Sequence, residues 1–288
     1  VIGMSSRRPV YASISGGGPA ITYLAGAAAA VDAHAKVLGW SGASAGAIVA
    51  TCKAFGLPDE VIVAMLVDVL ESGQTLALSP ASVPRGGLFS LDVVGDLVDR
   101  HIGKGARLGD ATSGLVVCVT DLDRARPVYL SKHSTPRIVV REAVIASSSF
   151  MCGVVPAAHI PSIGTDLSPD VRLYGDGGLS DNTVDSVWDH KTEPRVSIRL
   201  GEAPMDPASR IRPGDVPAIL SAIPRALLWA PSQRKSKRTD GLDVDVDAVN
   251  DWAFRKDEHR VLREWADGYD STARQIDGWM SRRKDAEP

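Results

Sequence analysis

The stretch VLGWSGASAGAIVATCKAF (residues 37–55) passes from one periodicity to another across a single tight turn. Val37 to Trp40 is a short apolar run of strand type, and Ala45 to Phe55 has helical spacing. Between them Gly42-Ala43-Ser44-Ala45-Gly46 matches G-x-S-x-G, in the strand–turn–helix context that this elbow requires. Glycine at both ends lets the backbone fold sharply where a side chain would collide, lifting the Ser44 hydroxyl above the sheet edge. The following helix points its positive end at the same place. Ser44 is therefore the candidate nucleophile, with Gly42 and Gly46 supporting the turn. Taken alone, the pentapeptide also fits a plain tight strand–helix turn.

Working outward, Val10 to Ser15 forms a first strand that ends at Gly16-Gly17-Gly18. Pro19 suits the first position of a helix, where its missing N–H costs nothing, and that helix runs to about Ala35. Backbone N–H groups unobstructed by side chains are what an oxyanion hole needs, so Gly16, Gly17 and Gly18 are its candidates. A dinucleotide loop G-x-G-x-x-G fails here, because Ile21 stands at the third glycine. Downstream, Leu57-Pro58-Asp59-Glu60 opens a third helix and Leu115 to Thr120 makes a buried strand, with Pro127 to Ser131 pairing nearby. Arg137 to Ser147 has helical spacing, and Val171 to Tyr174 and Val196 to Leu200 are the last clear strands. Alternating strands and helices define an α/β domain.

A nucleophilic serine needs a proton acceptor. A conventional hydrolase triad runs Ser, acid, His and builds several strands before its elbow, whereas Ser44 follows about two. His34, His101, His133, His159, His190 and His259 lie in no catalytic motif. The better acceptor is Asp176, in Leu173-Tyr174-Gly175-Asp176-Gly177-Gly178-Leu179, just past a strand end. Gly177 and Gly178 let the backbone turn tightly and approach the nucleophile. An aspartate at its reference pKa of about 3.9 is a weak base at neutral pH, so the role requires Asp176 to be shielded from water.

Gly16-Gly17-Gly18, then Gly42-Ala43-Ser44-Ala45-Gly46, then Asp176-Gly177-Gly178, in that order, resemble a patatin-like phospholipase. The likeness covers about residues 10–200. Ala146 to Phe150 through Val155-Pro156 resembles the family segment before the aspartate, and Asn182 matches its usual downstream asparagine. The resemblance implies a three-layer αβα patatin-like fold with a mostly parallel central sheet. It also implies a Ser44–Asp176 dyad without His, hydrolysing phospholipid or another fatty-acyl ester through an acyl-enzyme, with no cofactor and no metal. The chain departs from the family pattern at Ala20, where Lys or Arg is common, which implies a weaker oxyanion loop. A His-dependent esterase or thioesterase, an acyltransferase and a lipid-binding module are the alternatives.

The chain has 288 residues, 44% hydrophobic and 23% charged, the composition of an ordinary globular protein. A net charge of −3 gives no basic surplus for tracking phosphates, so no nucleic-acid partner is expected. Cys52, Cys118 and Cys152 show no CxxC spacing, which argues against a disulfide framework or zinc knuckle. The apolar stretch Ile21 to Val31 is too short to span a bilayer, and no signal peptide is read near the start. The expected location is cytoplasmic or peripheral to a membrane, with signal-independent secretion left open. The expected organisation is a catalytic domain over residues 1–204, a proline-rich and charged connection over 205–247, and a C-terminal amphipathic helix over 248–288. The helix stripe Leu262, Trp265, Tyr269, Ile276 and Met280 implies packing on the domain or on a partner. Transient membrane-surface contact is the rival, but residues 232–288 hold 12 Lys+Arg against 13 Asp+Glu and exert no net cationic pull. Residues 72–90, with Gly73, Gly86 and Gly87, are candidates for a lid or acyl entrance, with an ordinary surface loop as the rival. Oligomeric state is not legible.

Overall fold

A computed structural model of the chain describes residues 7–72, 77–78, 89–150, 158, 160–161, 173–201, 240–248 and 255–284. The first half alternates strand and helix: β1 (Pro9–Ile14), α1 (Ile21–His34), β2 (Lys36–Ala43), α2 (Ala45–Ala54) and α3 (Asp59–Ser72). A short ribbon, β3 (Ala77–Leu78) with β4 (Phe89–Ser90), leads to α4 (Asp92–His101), β5 (Gly114–Asp121), β6 (Arg126–Ser131) and α5 (Val140–Ser147). Then come β7 (Tyr174–Asp176), β8 (Arg195–Leu200), β9 (Leu242–Val246) and the long α6 (Glu258–Lys284).

Among the described residues seven strands form the central sheet in the order β6-β5-β2-β1-β8-β9, with β7 also on β5. The pairs β5–β2, β2–β1, β1–β8 and β8–β9 are parallel, and only β6 and β7 run against β5. This is the α/β class with a mostly parallel sheet. Side chains alternate across it, as strand geometry demands. Val10, Ala12 and Ile14 of β1, Leu115, Val117 and Val119 of β5, and Val196 and Ile198 of β8 enter the main core with the helices. The intervening residues face the segment Asn182–Trp188: Ala43, Val116 and Cys118 pack there on Val184 and Trp188. That second face is also polar, with Ser13, Ser41, Ser197, Arg195 and Arg199 all buried. Its arginines are paired, Arg195 with Asp189 at 3.3 Å and Arg199 with Asp243, as buried cations must be.

α1 explains its alanines. Every residue from Ile21 to Val31 is buried, because the helix lies between the sheet and α6. The two helices meet through glycine: a Cβ on Gly26 would sit 1.9 Å from Trp265 O, and one on Gly268 2.2 Å from Tyr23 O. The buried face of α6 is Val261, Glu264, Gly268, Thr272, Ile276 and Trp279. It departs from the apolar stripe read in the sequence, in which Leu262 is 46% exposed and Trp265, Tyr269 and Met280 are only half-buried. Close backbone approach selects small residues over large apolar ones, which a hydrophobic count does not register.

The strand β9 is a second correction. Residues 242–246 were expected within a charged connection, yet Leu242, Val244 and Val246 alternate with Asp243 and Asp245 beside β8. Period-2 alternation with acids outward is an edge strand. Two boundaries also move: β2 continues to Ala43, and β7 carries Asp176 itself. Most of the candidate lid at 72–90 and the proline-rich stretch after Gly201 lie outside the described residues, as do Val155-Pro156 and Trp252. Among the described residues no helix is long and apolar enough to cross a membrane.

Candidate active site

Ser44 sits at the end of β2 and caps α2 with φ 54° and ψ −127°. A non-glycine residue at positive φ is strained, and such strain gathers at functional turns. The flanking glycines are required by contact: a Cβ on Gly42 would lie 2.4 Å from Gly46 O, and one on Gly46 2.2 Å from Ile14 O. Ser147, at the end of α5, holds the turn from the other side. Its Oγ accepts the Ser44 N–H at 2.9 Å and donates to Cys118 O at 2.7 Å, tying the elbow to β5.

Asp176 closes β7 and is 1% exposed. Its backbone is fixed by its own N–H to Ser149 O at 2.9 Å and by the Thr120 hydroxyl on its carbonyl at 2.7 Å. Oδ1 accepts the Gly178 N–H at 2.8 Å. The Gly177 turn hugs β5, since a Cβ there would lie 2.2 Å from Cys118 O. Burial pushes the carboxyl from an ordinary 3.8 up to about 7, against smaller opposing pulls from the Ser44 side chain and the Gly178 N–H. Ser44 and Asp176 thus come together, the hydroxyl acting on the carboxyl as a hydrogen-bonding group. The pair stops short of closed hydrogen-bond geometry, which leaves Oδ2 buried without a partner. Catalytic hydrogen bonds are often loose until substrate binds. Among the described residues no histidine is hydrogen-bonded to the Asp176 carboxyl, and His159 lies outside them.

The glycine loop lies beside the elbow: a Cβ on Gly16 would stand 3.1 Å from Ser44 Cβ and 2.5 Å from Asn182 Oδ1. The Gly16 N–H, expected to join the oxyanion hole, is instead donated to Asn182, at 3.0 Å to Oδ1 and 3.2 Å to O. Asn182 stands on a turn braced by Asp181, whose Oδ1 accepts the Val184 N–H at 3.0 Å and whose Oδ2 accepts the Tyr129 hydroxyl at 2.8 Å. Among the described residues the N–H groups of Gly17 and Gly18 carry no hydrogen bond, leaving two donors open. Gly18 takes a positive φ of +50°, a conformation that favours glycine. Ser147, Thr120 and Tyr129 escaped the sequence reading as site residues. Ser147 lay in the segment that resembles the family, and Thr120 and Tyr129 in strands already read, but nothing in their spacing marks these roles.

The fold is α/β, with a strained serine at the sharp turn between β2 and α2. The chain belongs to the patatin-like phospholipase family, which matches it over residues 12–187. Among solved structures it is similar to VipD from Legionella pneumophila, at 15% identity and a TM-score of 0.53, covering 95% of this chain and 67% of that one. It is also similar to the type III effector protein ExoU, at 13% identity and a TM-score of 0.44, covering 96% of this chain but only 54% of ExoU. The likeness to VipD is one of fold. No curated protein matches the chain.

Proposed function

We propose that the protein is a lipid acyl hydrolase of phospholipase A or general carboxylic-ester type, working through a Ser44–Asp176 dyad. The observation that carries this reading is a buried carboxyl, raised to about 7, with one oxygen unpartnered and the strained Ser44 hydroxyl as its polar neighbour. A base with a pKa near the working pH is both available and strong enough to take a proton. Ionised Asp176 removes the hydroxyl proton as Ser44 Oγ bonds to the ester carbonyl carbon. The Gly17 and Gly18 N–H groups receive the negative oxygen. Collapse breaks the bond to the leaving alcohol, which takes the proton from Asp176, and an acyl-enzyme forms. Water then gives a proton to Asp176, its oxygen joins the acyl carbon, and Ser44 recovers its hydrogen as the fatty acid leaves. The substrate is a phospholipid or another fatty-acyl ester, a class drawn from family membership. Exposure to an alkyl fluorophosphonate, followed by peptide mass spectrometry, tests the reading: labelling of Ser44 that vanishes in Asp176→Asn is expected. An unlabelled Ser44 in folded protein overturns it.

A further inference from the structure

Lys256 precedes α6 and lies well outside the family-matched residues, yet its side chain ends on the glycine loop. It is 2% exposed. Its Nζ donates to Pro19 O at 2.7 Å and to Glu264 Oε2, and stands 3.4 Å from Thr22 Oγ1. The Tyr23 ring lies 6.0 Å from the ammonium. Its backbone N–H is fixed on Leu70 O at 3.0 Å, so the residue is anchored at both ends. Glu264, also 2% exposed, receives Thr22 Oγ1 on the same oxygen and Arg260 Nε on the other at 2.8 Å.

An ion pair is not the usual means of docking a helix. Buried ion pairs are often replaceable by apolar residues without loss of stability, because desolvation offsets their attraction. What Lys256 adds is a directed bond to one carbonyl. In the 3-10 turn Gly18–Ala20, Gly17 O accepts the Ala20 N–H and Gly18 O accepts the Ile21 N–H. Pro19 O is the next carbonyl, and it is the one the ammonium grips. Ala20 supplies no cation from within the loop, so the loop's charge-assisted tie comes from the far end of the chain.

We propose that Lys256, neutralised by Glu264, is a positioning residue for the oxyanion loop. By holding Pro19 O it keeps the Gly17 and Gly18 N–H groups aimed at the developing negative charge, and so makes the start of α6 part of the catalytic apparatus. This rests on the Ser44–Asp176 reading.

The test compares wild type, Lys256→Met and Lys256→Met/Glu264→Gln. The double variant removes the loop tie and both fully buried charges, leaving the partly exposed Arg260 facing the Gln amide. Measurements are kcat and KM on a p-nitrophenyl acyl ester, the rate of Ser44 phosphonylation, Tm, and hydrogen exchange of the Ala20 and Ile21 amides, with rates taken per folded molecule. Both variants are expected to lose between about tenfold and a hundredfold in kcat and phosphonylation rate, with KM nearly unchanged and faster exchange at Ala20 and Ile21, whose N–H groups close the turn on Gly17 O and Gly18 O. Tm falls in the single variant and recovers in the double one. A double variant that regains wild-type kcat together with Tm overturns the proposal, as does one that fails to fold, since the pair is then scaffold. Wild type that is not labelled at Ser44 removes the dyad reading instead. Labelled wild type with equal rates in the variants removes only the role of Lys256.

Discussion

Asp176 and Glu264 are both carboxylates taken almost wholly out of water, at 1% and 2% exposure, and their surroundings differ in one respect. Glu264 has a partner on each oxygen: Lys256 and Thr22 on one, Arg260 on the other. Asp176 has the Gly178 N–H on Oδ1 and nothing closed on Oδ2. A buried charge with its partners satisfied stiffens the structure around it. One left unsatisfied is driven toward its neutral form and held ready to exchange a proton. Under the proposed function, burial without a facing cation is what fits Asp176 to exchange a proton.

Removing the reactive member of the contrast should give the largest effect. Ser44→Ala and Asp176→Asn are each expected to lower fatty-acyl ester hydrolysis by at least about 10³-fold, as assayed with a chromogenic ester. Asp176→Asn should at the same time stabilise the fold at alkaline pH. Asp176 has a folded pKa of about 7 against an ordinary 3.8, so the folded state holds a proton that the unfolded chain has released. The wild type therefore loses stability as pH rises between those values, by up to about 4 kcal/mol. The variant lacks that slope, and urea denaturation at pH 5 and pH 8 reads the difference. An unchanged slope would show that Asp176 is not the shielded group described.

The same ionisation governs rate with the opposite sense. Activity requires the carboxylate, so kcat/KM should climb with pH, pass half-maximum near 7 and level off above it. A profile already flat from about pH 5 would mean a carboxyl at its ordinary pKa. Around the paired carboxylate the effects are structural. Gly268→Ala places a Cβ 2.2 Å from Tyr23 O and should cost roughly 2–3 kcal/mol, seen as a lowered Tm. Leu262→Ser, on the exposed side of the same helix, should change stability by less than about 0.5 kcal/mol. If the two substitutions cost the same, the buried face of α6 has been misassigned.

Much of the α/β frame was legible. The strand beginning at Val10, the elbow helix from Ala45 and the strands near Leu115 and Val196 carry their periodicity in consecutive residues, and the structure keeps them with small boundary shifts. Ser44 and Asp176 were legible as candidates because glycine-bracketed turns after strands leave a local mark. β9 was readable in principle from Leu242, Val244 and Val246, but the intervening aspartates resembled a charged connection. The buried face of α6 was not readable, because Gly268 and Thr272 matter only once Tyr23 and Gly26 lie opposite. Ser147 and Lys256 reach the elbow and the glycine loop by hydrogen bonds to residues 103 and 237 positions away in the chain, and no spacing announces such partners.

From the order of residues alone came the alternating architecture, the sharp turn at Ser44 and the family to which the chain belongs. Those rest on local sterics: glycine where a Cβ would collide, apolar residues at strand and helix periods. Only the folded chain decided that Gly16 spends its N–H on Asn182, that Asp176 loses its water without gaining a cation, and that Lys256 reaches the glycine loop. Each of these depends on what a group meets across space. Desolvation and hydrogen bonding are properties of the enclosure that distant segments build together.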